Sequence, residues 1–97
     1  MLYLLLFIAG GLACNAIPHL VAGLQGESFY TPWAVPRGSK SSAIENFLWG
    51  CFNLFLGLFL ARHARPLFLQ GGPLALLSGF LVAGCAISLI FAKRNKG

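Results

Sequence analysis

The chain has 97 residues, of which 58% are hydrophobic and only 9% are charged. Soluble domains carry about 25% charged residues, so a soluble fold would have too few charges to cover its surface. Seven Lys and Arg against two Asp and Glu give a net charge of +5, but the cations form no dense patch, which disfavours nucleic-acid binding. The composition excludes a soluble enzyme, a disordered tail and a disulfide-stapled secreted domain. It predicts a small integral membrane protein.

Three apolar stretches are long enough to cross a hydrocarbon core about 30 Å thick as helices. They cover residues 2–24, 44–61 and 73–92, and none contains Lys or Arg. The start of the chain lacks the basic segment of a secretory signal, so we interpret it as part of the first span. We predict an all-α integral membrane fold, a three-transmembrane-helix bundle that forms one domain over residues 1–97.

The basic residues predict the orientation, because cytoplasmic loops carry an excess of Lys and Arg. Five basic residues lie in the first loop and at the C-terminus, namely Arg37, Lys40, Lys93, Arg94 and Lys96. The second loop has two, Arg62 and Arg65. We therefore predict that the N-terminus lies outside and that the first loop and the C-terminus are cytoplasmic.

The first connection, residues 25–41, is long for so small a protein and contains three aromatic residues, Phe29, Tyr30 and Trp33. Aromatic rings favour the headgroup zone, so we predict an interfacial loop that lies flat on the membrane. A lid or a partner-binding surface is the alternative. The capping-box pattern from Ser42 to Glu45 predicts the start of the second helix.

Each predicted helix carries small or polar residues at helical spacing, so that they share one face. The three sets are Gly11, Asn15, His19 and Gly23; Asn46, Gly50, Asn53, Gly57 and Ala61; and Ala75, Gly79, Ala83 and Ala86. In lipid, close approach at small residues and hydrogen bonds between helices drive packing. We predict that these stripes turn inward.

Depth in the membrane predicts two polar pairs between the antiparallel first and second helices. At about 1.5 Å per residue, Asn15 and Asn53 both lie within ~3 Å of the midplane, and His19 and Asn46 both lie ~9–10 Å toward the cytoplasm. We predict that Asn15 hydrogen-bonds to Asn53, and that His19 hydrogen-bonds to Asn46 or Glu45.

Pro18 marks a candidate site in the first helix, because it leaves the carbonyl of Cys14 without its usual donor. A kink there would place His19 beside free carbonyls, as in the solute sites of many transporters. The candidate polar intramembrane site consists of Asn15, Pro18, His19, Asn46 and Asn53. The alternative is structural, with a neutral His19 bonded to an amide and the proline as a packing kink.

The three cysteines, Cys14, Cys51 and Cys85, lie one per helix near the midplane. Their odd number and the lack of a C-x-x-C motif argue against a disulfide framework, and cysteine often serves as a small apolar residue. Convergence of the thiols with His19 on Zn or Cu(I) is the alternative. We expect no metal and no cofactor.

One pattern resembles a known family. It comprises Asn15 to His19, then Gly23, Gly26, Phe29, Pro32 and Ala34, and then Ser42, Asn46, Trp49, Gly50 and Asn53. It resembles an uncharacterised family of small bacterial integral membrane proteins over roughly the first two thirds of the chain. This resemblance implies the bacterial cytoplasmic membrane and no activity.

The length, the three spans and the proline also resemble the bacterial half-transporters of the SWEET sugar family, which act as dimers. Those proteins carry Pro-Gln in helix one, whereas His19 follows Pro18 here, and the first loop is longer.

No nucleophile–base pair, phosphate-binding loop or paired carboxylates occur in the sequence, so we predict that the protein is not an enzyme. We expect a structural or accessory membrane protein that self-associates or joins a larger membrane complex. The alternative is a homo-oligomeric transporter of a small solute with a polar site at Pro18.

Overall fold

The computed structural model describes residues 1–96 and consists mainly of three long helices. These are α1 (Leu2–Leu24), α2 (Ala43–His63) and α3 (Gly72–Lys96). A short hairpin of β1 (Phe29–Tyr30) and β2 (Lys40–Ser41) follows α1, and a 3-10 turn (Arg65–Leu67) precedes α3. Each long helix is apolar and long enough to cross a membrane. The prediction of an all-helical fold with three helices long and apolar enough to cross a membrane is therefore confirmed.

Two helices extend beyond the apolar stretches that defined the predicted spans. α2 continues to His63 rather than residue 61, and α3 continues to Lys96 rather than residue 92. Lys and Arg are good helix formers, so the backbone stays helical after the apolar composition ends.

The helix α1 lies between the other two. α2 and α3 each pack along α1 but hardly contact each other. The fold is thus an open layer in the order α2–α1–α3, which differs from a bundle in which every helix contacts both others. At one end of this layer α1 ends, α2 begins and α3 ends beside the hairpin; we call this the hairpin end.

The layer forms because α1 has two separate packing faces. On the α3 side, a Cβ added to Gly10 would overlap the backbone carbonyl of Leu76, and one added to Gly79 would overlap the carbonyl of Phe7. The two backbones therefore meet at glycines, as small residues allow in membranes.

The α2 side of α1 matches the predicted stripe of α2. The buried residues of α2 are Asn46, Gly50, Asn53 and Gly57. A Cβ on Gly50 would lie 2.8 Å from Cγ of Leu20, and one on Gly57 would lie 3.1 Å from the carbonyl oxygen of Ala9. The prediction that this stripe turns inward is confirmed for these four residues.

The predicted stripe of α3 is wrong at Ala86, which is exposed. Gly79 is buried, but toward the C-terminus Ile87 and Phe91 are the half-buried residues. The face of α3 that contacts the rest of the protein rotates around the helix along its length. Residues chosen by a constant spacing therefore no longer lie in the contact near the C-terminal end of α3.

The first connection contains a hairpin that the sequence did not predict. Phe29 pairs with Ser41, and Tyr30 pairs with Lys40. The Phe29 ring lies 5.4 Å from the His19 ring and 5.0 Å from that of Phe91. The hairpin thus packs against α1 and α3 through aromatic rings.

Candidate functional site

The first predicted polar pair is present between α1 and α2. Nδ2 of Asn15 donates a hydrogen bond to Oδ1 of Asn53 over 3.2 Å, and Nδ2 of Asn53 donates to the carbonyl of Trp49 over 2.8 Å. Asn53 is buried and Asn15 half-buried. The pairing predicted from depth is confirmed.

The second predicted pair joins His19 and Asn46, whose Nδ1 and Oδ1 atoms are 2.7 Å apart. Both side chains are buried, with 5% of His19 and none of Asn46 exposed. Of the two partners predicted for His19, Asn46 forms the hydrogen bond, and Glu45 does not.

Glu45 instead completes the predicted capping box. Its Oε1 accepts from the backbone N–H of Ser42 over 2.9 Å, and its own N–H donates to Oγ of Ser42 over 3.3 Å. Nε1 of Trp33 donates to the other carboxylate oxygen over 3.2 Å. The carboxylate therefore fixes both the start of α2 and the position of Trp33.

Asn46 has a second role that the sequence did not predict. The two N–H groups of its Nδ2 are shared among the carbonyls of Phe29, Ser41 and Ser42, which lie at 3.1, 3.2 and 3.0 Å. One buried amide thus joins α1, both hairpin strands and the first turn of α2. No residue pattern signals this arrangement, because its acceptors are backbone atoms that any sequence would supply.

These bonds assign the tautomer of His19. Nδ2 of Asn46 faces the carbonyls, so Oδ1 faces His19 and can only accept. Nδ1 of His19 therefore carries a hydrogen, so in the neutral form of the ring it is Nε2 that has the lone pair. No described residue bonds to Nε2, and no polar side-chain atom in the described part of the chain is both sealed from solvent and unbonded. Nε2 is therefore reachable from outside the protein.

One face of the layer, which we call the open side, has a cleft that leads to His19. Residues of α1, α2, α3 and the first connection line this cleft. It has a volume of about 260 Å³. Its lining comprises Asn15, His19, Tyr30, Thr31, Pro32, Trp49, Phe91 and Arg94. We call it the histidine cleft.

A second cleft adjoins it at the hairpin end and has a volume of about 310 Å³. Its lining comprises Tyr30, Thr31, Pro32, Ala34, Arg37, Gly38, Ser39 and Arg94. We call it the arginine cleft.

Pro18 is not part of this arrangement. α1 is helical without interruption through Pro18, and the proline lines a separate apolar groove that also includes Cys14, Phe80 and Gly84. The structure therefore brings together four residues of the predicted site, Asn15, His19, Asn46 and Asn53, and leaves Pro18 outside.

The cysteines have different environments. Cys14 is buried, Cys51 half-buried and Cys85 exposed, and all three are free thiols. Within residues 1–96 no group of three His, Cys, Asp or Glu side chains is placed to hold a metal ion.

No known protein family, curated protein or solved structure is detectably similar to this chain. The resemblance to small bacterial membrane proteins therefore stays a prediction from the sequence pattern.

Proposed function

We propose that this protein is a structural or accessory membrane subunit that associates with itself or with a larger membrane protein. The observation that carries the proposal is the histidine cleft on the open side of the layer. It presents polar atoms of Asn15 and His19 between two apolar helices. Polar groups that face lipid are costly, so a partner surface that covers the cleft would stabilise the protein in a membrane.

The hydrogen bonds favour a structural role for the buried amides. Asn46 accepts a hydrogen bond from His19 of α1, and Asn53 accepts one from Asn15 of α1. Both amides also donate to backbone carbonyls. Their polar atoms are thus engaged in helix pairing. We therefore propose that these contacts are structural and that the protein has no enzymatic activity of its own.

Transport of a small solute is the second candidate, because the histidine cleft reaches both Asn15 and His19. Nε2 of His19 can accept a hydrogen bond from a solute. An open layer of three helices does not by itself enclose a path across a membrane, so this function also requires a second copy of the chain.

For the location we propose the bacterial cytoplasmic membrane, with several passes and the N-terminus outside. The hairpin end supports this orientation, because Arg37, Lys40 and Arg94 all lie there. The opposite end has Arg62 and Arg65 in the second connection. The greater basic charge at the hairpin end favours the cytoplasmic side.

Purification from native membranes in mild detergent tests the proposed assembly. Light scattering on the eluted complex gives its mass. We expect either a homo-oligomer of the 10.4 kDa chain or a stoichiometric complex with a larger subunit. A protein that remains monomeric at every concentration, with no co-purifying subunit, would contradict the proposal.

Flux measurements separate the two candidates. Liposomes containing the protein are loaded with a panel of small neutral and charged solutes, and efflux is compared with His19→Ala liposomes. An accessory subunit shows no solute-dependent flux. Flux that His19→Ala abolishes, while Gly10→Ala, a destabilising change outside the lining of the cleft, retains it, supports the transporter instead.

A further inference from the structure

The arginine cleft lies where the apolar part of each helix ends. Leu24 ends α1, Ala43 begins α2, and Arg94 belongs to the last turns of α3. In a membrane this end of the layer falls at the depth of the lipid headgroups. The cleft is therefore placed where a headgroup can enter it from the side.

The cleft presents two cations without a neutralising acid. Arg37 and Arg94 line it, and no Asp or Glu does. Of the two acids in the chain, Glu45 binds Ser42 and Trp33, and Glu27 is exposed outside the lining. The two guanidinium groups thus provide positive charge that a bound anion would neutralise.

Aromatic contacts hold Arg94 in position. Its Cζ lies 4.4 Å from the centroid of the Tyr30 ring and 5.6 Å from that of Phe91. Nζ of Lys40 lies 5.5 Å from the Tyr30 ring. Cation–π contacts orient a cation but leave its N–H groups free to donate to a ligand.

Two of the three side-chain hydroxyls that line the cleft, those of Thr31 and Ser39, are already bonded within the protein. Oγ of Ser39 donates to the carbonyl of Pro36 over 2.6 Å, and the hydroxyls of Thr31 and Ser41 bond to each other. The side-chain donors that remain for a ligand are the Tyr30 hydroxyl and the guanidinium N–H groups of Arg37 and Arg94. Of these, only the guanidinium groups carry positive charge, and their planar fork matches the oxygens of a phosphate.

We propose that the arginine cleft binds the phosphate of an anionic phospholipid, with Arg37 and Arg94 as its ligands. A lipid is the source of the phosphate because the cleft lies at headgroup depth and because exposed Ile90 lies one helical turn from Arg94 on α3, where an acyl chain can lie. Basic pockets between membrane helices are suited to such headgroups. The inference requires only that the chain spans a membrane, and it does not depend on self-association.

The test uses nanodiscs of phosphatidylcholine with a small fraction of phosphatidylglycerol, so that the surface potential stays low. Native mass spectrometry after mild detergent release counts the phosphatidylglycerol retained per chain. Arg37→Gln and Arg94→Gln should each lower the affinity for phosphatidylglycerol about tenfold, the effect of losing one charge-assisted hydrogen bond. Lys93→Gln is the matched control, because it removes one charge at the same end outside the lining.

Three results would overturn the inference. Equal losses in Lys93→Gln and the arginine variants would indicate diffuse surface charge. Unchanged retention in both arginine variants would exclude the site. Competition by millimolar inorganic phosphate in the native protein would indicate a soluble phosphate ligand instead of a lipid. Circular dichroism and the oligomer mass, measured on the same samples, separate loss of the site from loss of the fold or of assembly.

Discussion

At the scale of single residues, Asn46 has the largest number of partners in the described part of the chain. Its carbonyl oxygen accepts from His19, and its amide nitrogen serves three backbone carbonyls. An aspartate would keep the first contact and lose the others, whereas a leucine would lose all of them. The position therefore requires an amide for physical reasons, because only an amide both accepts and donates here.

We expect Asn46→Ala to lower the free energy of unfolding by about 1–3 kcal/mol, because it leaves buried acceptors without donors. Asn53→Ala breaks a single bond between helices and should cost about 0.6–1.7 kcal/mol. Unfolding in detergent gives both values. Hydrogen exchange should rise across residues 29–41 in Asn46→Ala only; a similar rise in Asn53→Ala would show that Asn46 does not anchor the hairpin.

The capping box gives a second prediction, for the start of α2. Ser42→Ala removes the acceptor of the Glu45 N–H and should destabilise the protein by about 0.5–2 kcal/mol. Ser88→Ala is the same change at an exposed position within α3 and should have little effect. Thermal unfolding in detergent compares the two variants, and equal melting temperatures would contradict a role for the cap.

At the scale of helices, the sequence predicts which residues of α1 and α2 pair but not that α3 packs only on α1. Depth alone predicted Asn15 with Asn53, and His19 with Asn46 or Glu45, because one translation fixes the register of two antiparallel helices. The same spacing predicted one packing stripe on α1, whereas α1 packs on two sides through different glycines. The predicted stripe contains Gly11, whereas the closest approach to α3 is at the adjacent Gly10.

That difference between adjacent glycines gives a third prediction. A Cβ on Gly10 would overlap the backbone of Leu76, which cannot move without shifting α3. Gly10→Ala should therefore destabilise the protein by about 1–3 kcal/mol through overpacking. A Cβ on Gly11 would lie 3.8 Å from its nearest neighbours, so Gly11→Ala should be tolerated.

Gly11→Ala is the matched control for Gly10→Ala, because it makes the same chemical change one position further along the helix. Unfolding in the same detergent measures the difference. If Gly11→Ala were the more destabilising variant, the register between α1 and α3 would be wrong.

At the scale of the whole molecule, composition was sufficient to predict an all-helical membrane fold with three spans. Composition could not predict the open layer, since the layer forms only because α2 and α3 pack on different sides of α1. It could not predict the hairpin either, because each strand has only two residues, which is too short for an alternating pattern of apolar and polar side chains. Hence the polar pairs were predictable and the clefts that surround them were not.

The orientation across the membrane gives a fourth prediction. In a chain with all three cysteines replaced by Ala, Ser28→Cys near the hairpin and Gln70→Cys in the second connection introduce exposed thiols. A membrane-impermeant maleimide should label Gln70→Cys in intact cells and Ser28→Cys only after the membrane is opened. The opposite pattern would place the N-terminus in the cytoplasm.

The central position of α1 also bears on biogenesis. α1 precedes α2 and α3 in the chain and therefore emerges from the ribosome before them. Each of the two later helices can thus dock on α1 as soon as it is inserted. All hydrogen bonds between side chains of different helices in the described residues join α1 to α2. A nascent chain that ends before α3 therefore already holds its polar groups in pairs, and the third helix completes the assembly through glycine contacts and aromatic rings.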